Sequence, residues 1–172
     1  YTYGKTENLI TKADLGYQLF KSTQVNGILD YNRTNGYGTG FGNHVREISS
    51  ASLLVKQDFS AYWKNEFGIR KEFTNNYESP VLFSLGSSYQ FNKLYNLKLN
   101  VSRNFRIPTF NDLYWETGGN PDLKPESSYQ AEIGNVFTFK NISLTQTFYY
   151  IKIDDLLQWV PGKNGIWAPQ NK

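Results

Sequence analysis

Side chains able to do covalent or acid–base chemistry are sparse in this 172-residue sequence. It has no Cys, which excludes a disulfide framework, thiolate catalysis and cysteine-based metal sites. His44 is the only histidine. Ser49, Ser50 and Ser52 follow it on the same extended segment, a spacing that does not set a hydroxyl against the imidazole as a nucleophile and its base require. Asp154-Asp155 lacks the ligand spacing of a calcium loop. Glu66 and Glu72 share one face of an extended segment, where they bond to partners more readily than they do acid–base work. No phosphate-cradling glycine loop or zinc motif is present. The expectation is therefore no catalytic residue, no metal and no cofactor. What remains is non-covalent: Tyr37, Phe41, Tyr77, Tyr114, Trp115, Trp159 and Trp167 fall between the extended segments. Flat side chains around an opening can stack on a large ligand, and they can equally pack loop on loop.

The elements that must carry these loops are strands. The dominant hydrophobic period is two. Strands are predicted over residues 9–20, 23–33, 44–59, 60–73, 81–91, 94–106, 126–139 and 142–153. Residues 95–105 show the pattern: Tyr95, Leu97, Leu99, Val101 and Phe105 lie on one face, with Asn96, Lys98, Asn100, Ser102, Asn104 and Arg106 opposite. Ile28 interrupts an otherwise polar face. In the last strand the apolar face shifts from Phe148 and Tyr150 to Ile151 and Ile153, which predicts a bulge near Tyr149–Ile151. The glycine- and asparagine-rich run 34–43 reads as a loop, as does 154–165, and 166–172 reads as the opening of one more strand. No amphipathic helix is predicted.

Composition narrows the class. The net charge of +3 comes from scattered Lys and Arg, without the basic cluster of a nucleic-acid binder. The longest apolar runs, such as Leu53-Leu54-Val55, fall far short of the ~20 residues of a spanning helix. Mean hydropathy is −0.56, but that index is blind to transmembrane strands, whose signal is alternation. Aromatic residues make up 17% of the chain, which suits strands and membrane-interface girdles. Connections alternate in length: tight near Lys21, Phe59-Ser60, Asn92-Lys93 and Lys140-Asn141, longer at 34–43, 74–80, 107–125 and 154–165. Short turns at one end and long loops at the other are the asymmetry of an outer-membrane barrel. The expected fold is all-β: an antiparallel up-and-down meander of about eight strands, a segment of a large barrel with apolar residues facing lipid and polar ones facing a filled lumen. A soluble, aromatic-rich β-sandwich that binds glycans has the same one-sided strands and stays open as an alternative. So does a small lipid-modifying barrel enzyme using His44.

The most composed stretch is Asn104–Gly134, where R-x-P-x-x-x-D-L-Y, G-N-P-x-L-K-P-E-x-S and E-x-G follow one another. Its residues are Arg106, Pro108, Asp112, Leu113, Tyr114, Gly119, Asn120, Pro121, Leu123, Lys124, Pro125, Glu126, Glu132 and Gly134. Pro108 and Pro121 fix φ and end ladder pairing; Gly118-Gly119 permits positive φ; Asn120-Pro121 starts a turn. Arg106, Asp112, Lys124 and Glu126 are expected to pair where the loop folds back over the rim. This pattern resembles the signature in the C-terminal half of the barrel of TonB-dependent outer-membrane receptors. The resemblance implies a 22-stranded barrel around an N-terminal plug, of which residues 1–172 would be a part lacking the plug. It implies partners too: outer-membrane lipid, the plug of the same parent chain, the TonB system, and a nutrient at the outer loops, either cobalamin or a ferric siderophore.

Overall fold

The computed structural model describes residues 3–162 and 165–172, and part of the predicted 154–165 loop lies outside them. Eight strands form one antiparallel sheet in sequence order: β1 (Gly4–Phe20), β2 (Thr23–Gly38), β3 (Gly42–Asp58), β4 (Trp63–Phe73), β5 (Val81–Asn92), β6 (Tyr95–Arg106), β7 (Glu126–Phe139) and β8 (Ile142–Asp154). Between β6 and β7 lies a short helix, α1 (Phe110–Tyr114), which the hydrophobic pattern does not predict. After β8, β9 (Leu157–Pro161) and β10 (Trp167–Asn171) pair only with each other. Residues 154–165 are thus part strand, and 166–172 closes a separate hairpin instead of adding a ninth strand to the sheet.

The sheet has no second layer among the described residues. There, the only large hydrophobics buried beyond nine-tenths are Leu113 and Leu123, both in the β6–β7 connection. Leu99 and Val101, which a sandwich would bury, are 43% and 39% exposed. A compact 19.9 kDa monomer has roughly 8,700 Å² of accessible surface by the usual size scaling; this chain has 11947 Å². The excess is the two bare faces of a single sheet, and the sandwich alternative is overturned.

Seven antiparallel ladders link the eight strands, and away from two tight turns their register is continuous, so the side-chain alternation of each strand stays in phase with its neighbours. One face carries Leu15, Val25, Leu53, Phe67, Leu85, Leu99, Ile133 and Phe148. The other carries Asp30, Ser50, Arg70, Glu72, Asn100 and Glu132. Here Arg70 bonds Asp30 (3.1 Å) and Glu72 (3.0 Å), and Ser50 donates to Asp30 (3.1 Å). The bulge expected at Tyr149–Ile151 is absent: β8 pairs with β7 in register from Ile142 to Asp154, which puts Tyr149, Ile151 and Ile153 on the polar face. Register shifts occur instead beside two tight turns, at Gln18/Phe20 and Gln90/Asn92.

At the short-turn end, rings follow one another along the apolar face: Phe59 to Trp63 (4.8 Å), Trp63 to Tyr89 (6.3 Å), Tyr89 to Phe91 (4.8 Å), Phe91 to Tyr95 (5.2 Å) and Tyr95 to Phe137 (4.9 Å). Their polar tips are satisfied within the sheet, with Trp63 Nε1 donating to Ser87 Oγ and the Tyr95 hydroxyl to Asn135 Oδ1. This is the expected girdle.

The apolar band runs diagonally across the strands. Leu53 on β3 and Lys152 on β8 lie in one cross-strand row through Ile69, Phe83, Arg103 and Tyr129. On β8 outward charge begins in that row, at Lys152; on β3 it begins six residues further toward the long loops, at Glu47. Six residues are about 20 Å along a strand and five strand spacings about 24 Å, so the band edge is inclined by about 40° to the rows. That is the tilt of strands in a membrane barrel.

At the long-loop end the structure corrects the expected loop at 34–43. β2 and β3 pair through it as far as Gly38 and Gly42, leaving Thr39–Phe41 as the turn. Gly42 has φ +74, the left-handed residue that a three-residue hairpin turn needs. The turn at Phe59-Ser60 is longer than expected, because β4 starts only at Trp63. Length asymmetry survives mainly in 74–80 and the 19 or so residues joining β6 to β7.

Candidate functional site

Three glycines at a spacing of two, Gly36, Gly38 and Gly40, build the floor of the candidate site. Strand alternation sends the missing side chains of Gly36 and Gly38 to the polar face. Each glycine is covered by an aromatic ring. A Cβ on Gly36 would lie 2.6 Å from Phe110, one on Gly38 2.5 Å from Phe41, and one on Gly40 2.7 Å from Trp115. Without the glycines the three rings could not seat.

Phe110 and Trp115 arrive from the β6–β7 connection, which reaches past β5 and β4 to dock on β2 and β3. Arg46 on β3 fastens it: its Nη2 donates to Pro108 O (2.7 Å) and its guanidinium lies 4.9 Å from the Phe110 ring centre. Tyr114 stacks on His44 (3.6 Å between centres, 10° between planes). Glu116 N donates to Gly40 O (2.7 Å). Gly36, His44 and Arg46 all project from the polar face, so the connection crosses that face like a chord inside an arc. The polar face is therefore the concave one.

The motif residues hold this connection together. Thr109 caps α1: its backbone N and Oγ1 donate to Asp112 Oδ2 (2.8 Å each), while Asp112 N donates to Thr109 Oγ1 (3.2 Å). The other oxygen of Asp112 accepts from Trp159 Nε1 of β9 (2.8 Å), and Asn120 N donates to the Asp112 carbonyl (2.8 Å). Asp112 and Leu113 are buried, as are Leu123 and Pro108. Arg106 pairs with Glu126 (2.6 Å) at the last rung of β6–β7, and Glu126 also accepts from Leu157 N (2.6 Å). Asn171 of β10 grips Lys124 from both sides, accepting from its N (2.8 Å) and donating to its O (2.9 Å). Asp122 N closes a turn on Asn120 Oδ1 (3.0 Å), placing Pro121 inside that turn and Pro125 just before β7.

Of the four expected ionic partners only Arg106 and Glu126 pair; Asp112 is consumed by the cap and Trp159, and Lys124 is held through its backbone. Gly118 and Gly119 are there for close approach, not for positive φ. A Cβ on Gly118 would collide with the Trp167 carbonyl, and one on Gly119 with the Trp115 backbone. Among the described glycines only Gly42 and Gly165 have positive φ. Glu132 and Gly134 sit lower, on the concave wall of β7, opposite Asn100 and Lys98.

The loop aromatics divide. Phe41, Tyr77, Tyr114, Trp115 and Trp159 gather at the mouth, each half-buried, so each packs a loop and still offers part of its surface. Tyr77 joins from the β4–β5 loop; burial pushes its phenol up, opposed by nearby Arg46 and reinforced by Tyr114. Tyr37 does not join them: strand alternation turns it to the convex side. Phe110, Arg46 and the glycine floor are not among the residues that the sequence singles out. The period-two spacing of Gly36, Gly38 and Gly40 was the available signal. His44 faces Tyr114, and Ser50 bonds Asp30, so no nucleophile–base pair forms between them. What this arrangement offers is a rigid, aromatic-lined rim with a cleft between Thr34, Arg46, Thr109, Phe110 and Asn111, suited to holding a large ligand by surface contact.

The family model described as TonB dependent receptor-like, beta-barrel matches residues 1–171. The vitamin B12 transporter BtuB of Photobacterium profundum is 30% identical over 173 residues, covering 97% of this chain and 28% of the relative. A BtuB of Vibrio vulnificus is 32% identical over 151 residues, covering 83% and 24%. Among solved structures, the siderophore receptor PirA from Pseudomonas aeruginosa superposes with a TM-score of 0.82 at 14% identity, over 99% of this chain and 34% of that one. The chain thus spans about a quarter to a third of the length of these three proteins.

Proposed function

This chain belongs to the TonB-dependent receptor-like β-barrel family, and we propose that it forms part of the wall and outer mouth of an outer-membrane transporter for a large, scarce nutrient. The observation that carries the proposal is the single curved sheet, apolar outside and polar inside, whose long connection folds into the concavity at one end. The apolar band meets lipid, with the long loops outward and the tight turns toward the periplasm. The polar concave face, with its Asp30–Arg70–Glu72 network, holds the plug of the parent chain by hydrogen bonds. Ligand settles on Tyr77, Tyr114, Trp115 and Phe110 at the mouth, and energy delivered through TonB displaces the plug. The motif residues Arg106, Asp112, Leu123, Lys124 and Glu126 act by fixing the connection, not by touching ligand. Cobalamin is the preferred cargo over a ferric siderophore, because the relatives at 30% and 32% identity are named vitamin B12 transporters, whereas the siderophore receptor at 14% shares the fold alone.

The test is equilibrium binding of cobalamin, and separately of a ferric siderophore, to the complete receptor and its Tyr114→Ala and Trp115→Ala variants. Each truncation is expected to weaken binding about tenfold, near 1.4 kcal/mol, with heat-resistant folding retained. Unchanged affinity in both would remove these rings from the site.

A further inference from the structure

We infer that the convex wall carries a seat for a lipid phosphate, built from Arg103, Tyr129 and Lys152. The inference rests on the bilayer-facing reading of that wall but assigns it a specific ligand. The three residues are consecutive Cα partners across β6, β7 and β8. Being in one row they share one face, and that face is the apolar one. An outward Arg is strongly disfavoured at mid-bilayer and tolerated near the interface, so Arg103 on β6 and Lys152 on β8 lie near the long-loop edge of the inclined apolar band. Directly below it the wall is apolar, with Val101 and Tyr150 in the next row toward the tight turns.

The geometry points to an anionic occupant. The Arg103 guanidinium lies 5.3 Å from the Tyr129 ring centre, and its Nε is buried with no hydrogen-bond partner. Tyr129 is 42% exposed, and its hydroxyl is a further donor available in the row. Lys152 flanks the ring on the other side, paired to Asp154 (3.1 Å) while remaining largely solvent-accessible. Two strand spacings separate the Cα atoms of Arg103 and Lys152, roughly 10 Å, a gap that two long side chains can close from either side on one phosphate. Asp154 offsets part of the Lys152 charge, so Arg103 is the principal anchor and Lys152 the second. Lys71, one row higher on β4, donates to the Ser79 carbonyl and is occupied in holding its loop. The long-loop end faces outward, so the occupant is the phosphorylated glycolipid of the outward leaflet.

The complete receptor in detergent, titrated with lipid A bearing both phosphates, with phosphate-free lipid A and with phosphatidylglycerol, gives the test, with bound lipid counted by native mass spectrometry. Phosphorylated lipid A is expected to be retained at least about tenfold better than either of the others, with retention falling as salt rises. The variant carrying Arg103→Gln and Lys152→Gln should lose that advantage. The exposed Lys152→Gln alone should lose several-fold, Arg103→Lys should keep more than Arg103→Gln, and Lys64→Gln on the concave side should change nothing. Equal retention of phosphorylated and phosphate-free lipid A, or full retention by the double variant, would overturn the seat; equal retention of phosphatidylglycerol would overturn the glycolipid as its occupant. Either failure leaves detergent dependence and cargo binding intact, so it is distinguishable from failure of the transporter reading.

Discussion

Single atoms decide the shape of the mouth. Gly38 has no Cβ, and one placed there would stand 2.5 Å from Phe41; Gly36 does the same for Phe110. A branched side chain at either position must expel its ring, and Phe110 takes with it the Arg46 contact and the turn of helix that Thr109 caps. Gly36→Val is therefore expected to weaken cargo binding by about tenfold or more while the barrel still folds, because the substituted residue remains in a paired strand where valine is at home. Binding titration together with hydrogen exchange of residues 107–125 checks this; protection of that segment should fall. The glycines show where reading by residue type succeeds and fails. Glycine and asparagine are poor strand formers, so local preference places Gly36 and Gly38 in a loop. The ladder overrides propensity when both neighbours are in register, and a ring supplies the missing packing. By contrast, Asp112, Pro108 and Leu123 are recognisable from the motif, although Asp112 takes its second partner from Trp159 of β9 and Pro108 offers its carbonyl to Arg46 of β3, contacts that no local pattern discloses.

Strands are legible because a period of two survives over ten or more residues. Leu97, Leu99 and Val101 opposite Asn96, Lys98 and Asn100 define β6 without any tertiary information. β8 misleads for a physical reason: Ile151 and Ile153 are apolar residues on the concave face, and a sequence cannot distinguish an apolar lumen residue from a change of face. The two faces should respond differently to charge. Leu99→Arg places a cation in the middle of the diagonal band and is expected to cost about 2–4 kcal/mol in the complete receptor folded in liposomes. Asn100→Arg, one residue along on the polar face, should cost less than about 1 kcal/mol. Denaturant unfolding from the bilayer measures both, and equal costs would mean that the faces are not chemically distinct environments.

At the scale of the whole molecule, the sheet has no partner for the outer edges of β1 and β8 among the described residues, and every residue of both strands is exposed. Long unpaired edges template pairing with other chains. Residues 1–172 expressed alone are therefore expected to associate in a concentration-dependent way, seen as mass increasing with loading in light scattering, whereas the complete receptor stays monodisperse in detergent. The architecture as a one-layer meander is open to sequence reasoning through loop lengths and the aromatic girdle; its curvature is not, since the chord from β6–β7 to β2–β3 is visible only in three dimensions. The most direct test is spin labelling of the complete receptor in bilayers at positions 96 to 101, with collision rates to oxygen and to a water-soluble nickel complex. Labels at Leu97, Leu99 and Val101 are predicted to meet oxygen and those at Asn96, Lys98 and Asn100 to be shielded from it; a profile without that alternation, or with its phase reversed, would contradict a lipid-facing apolar wall around a polar interior.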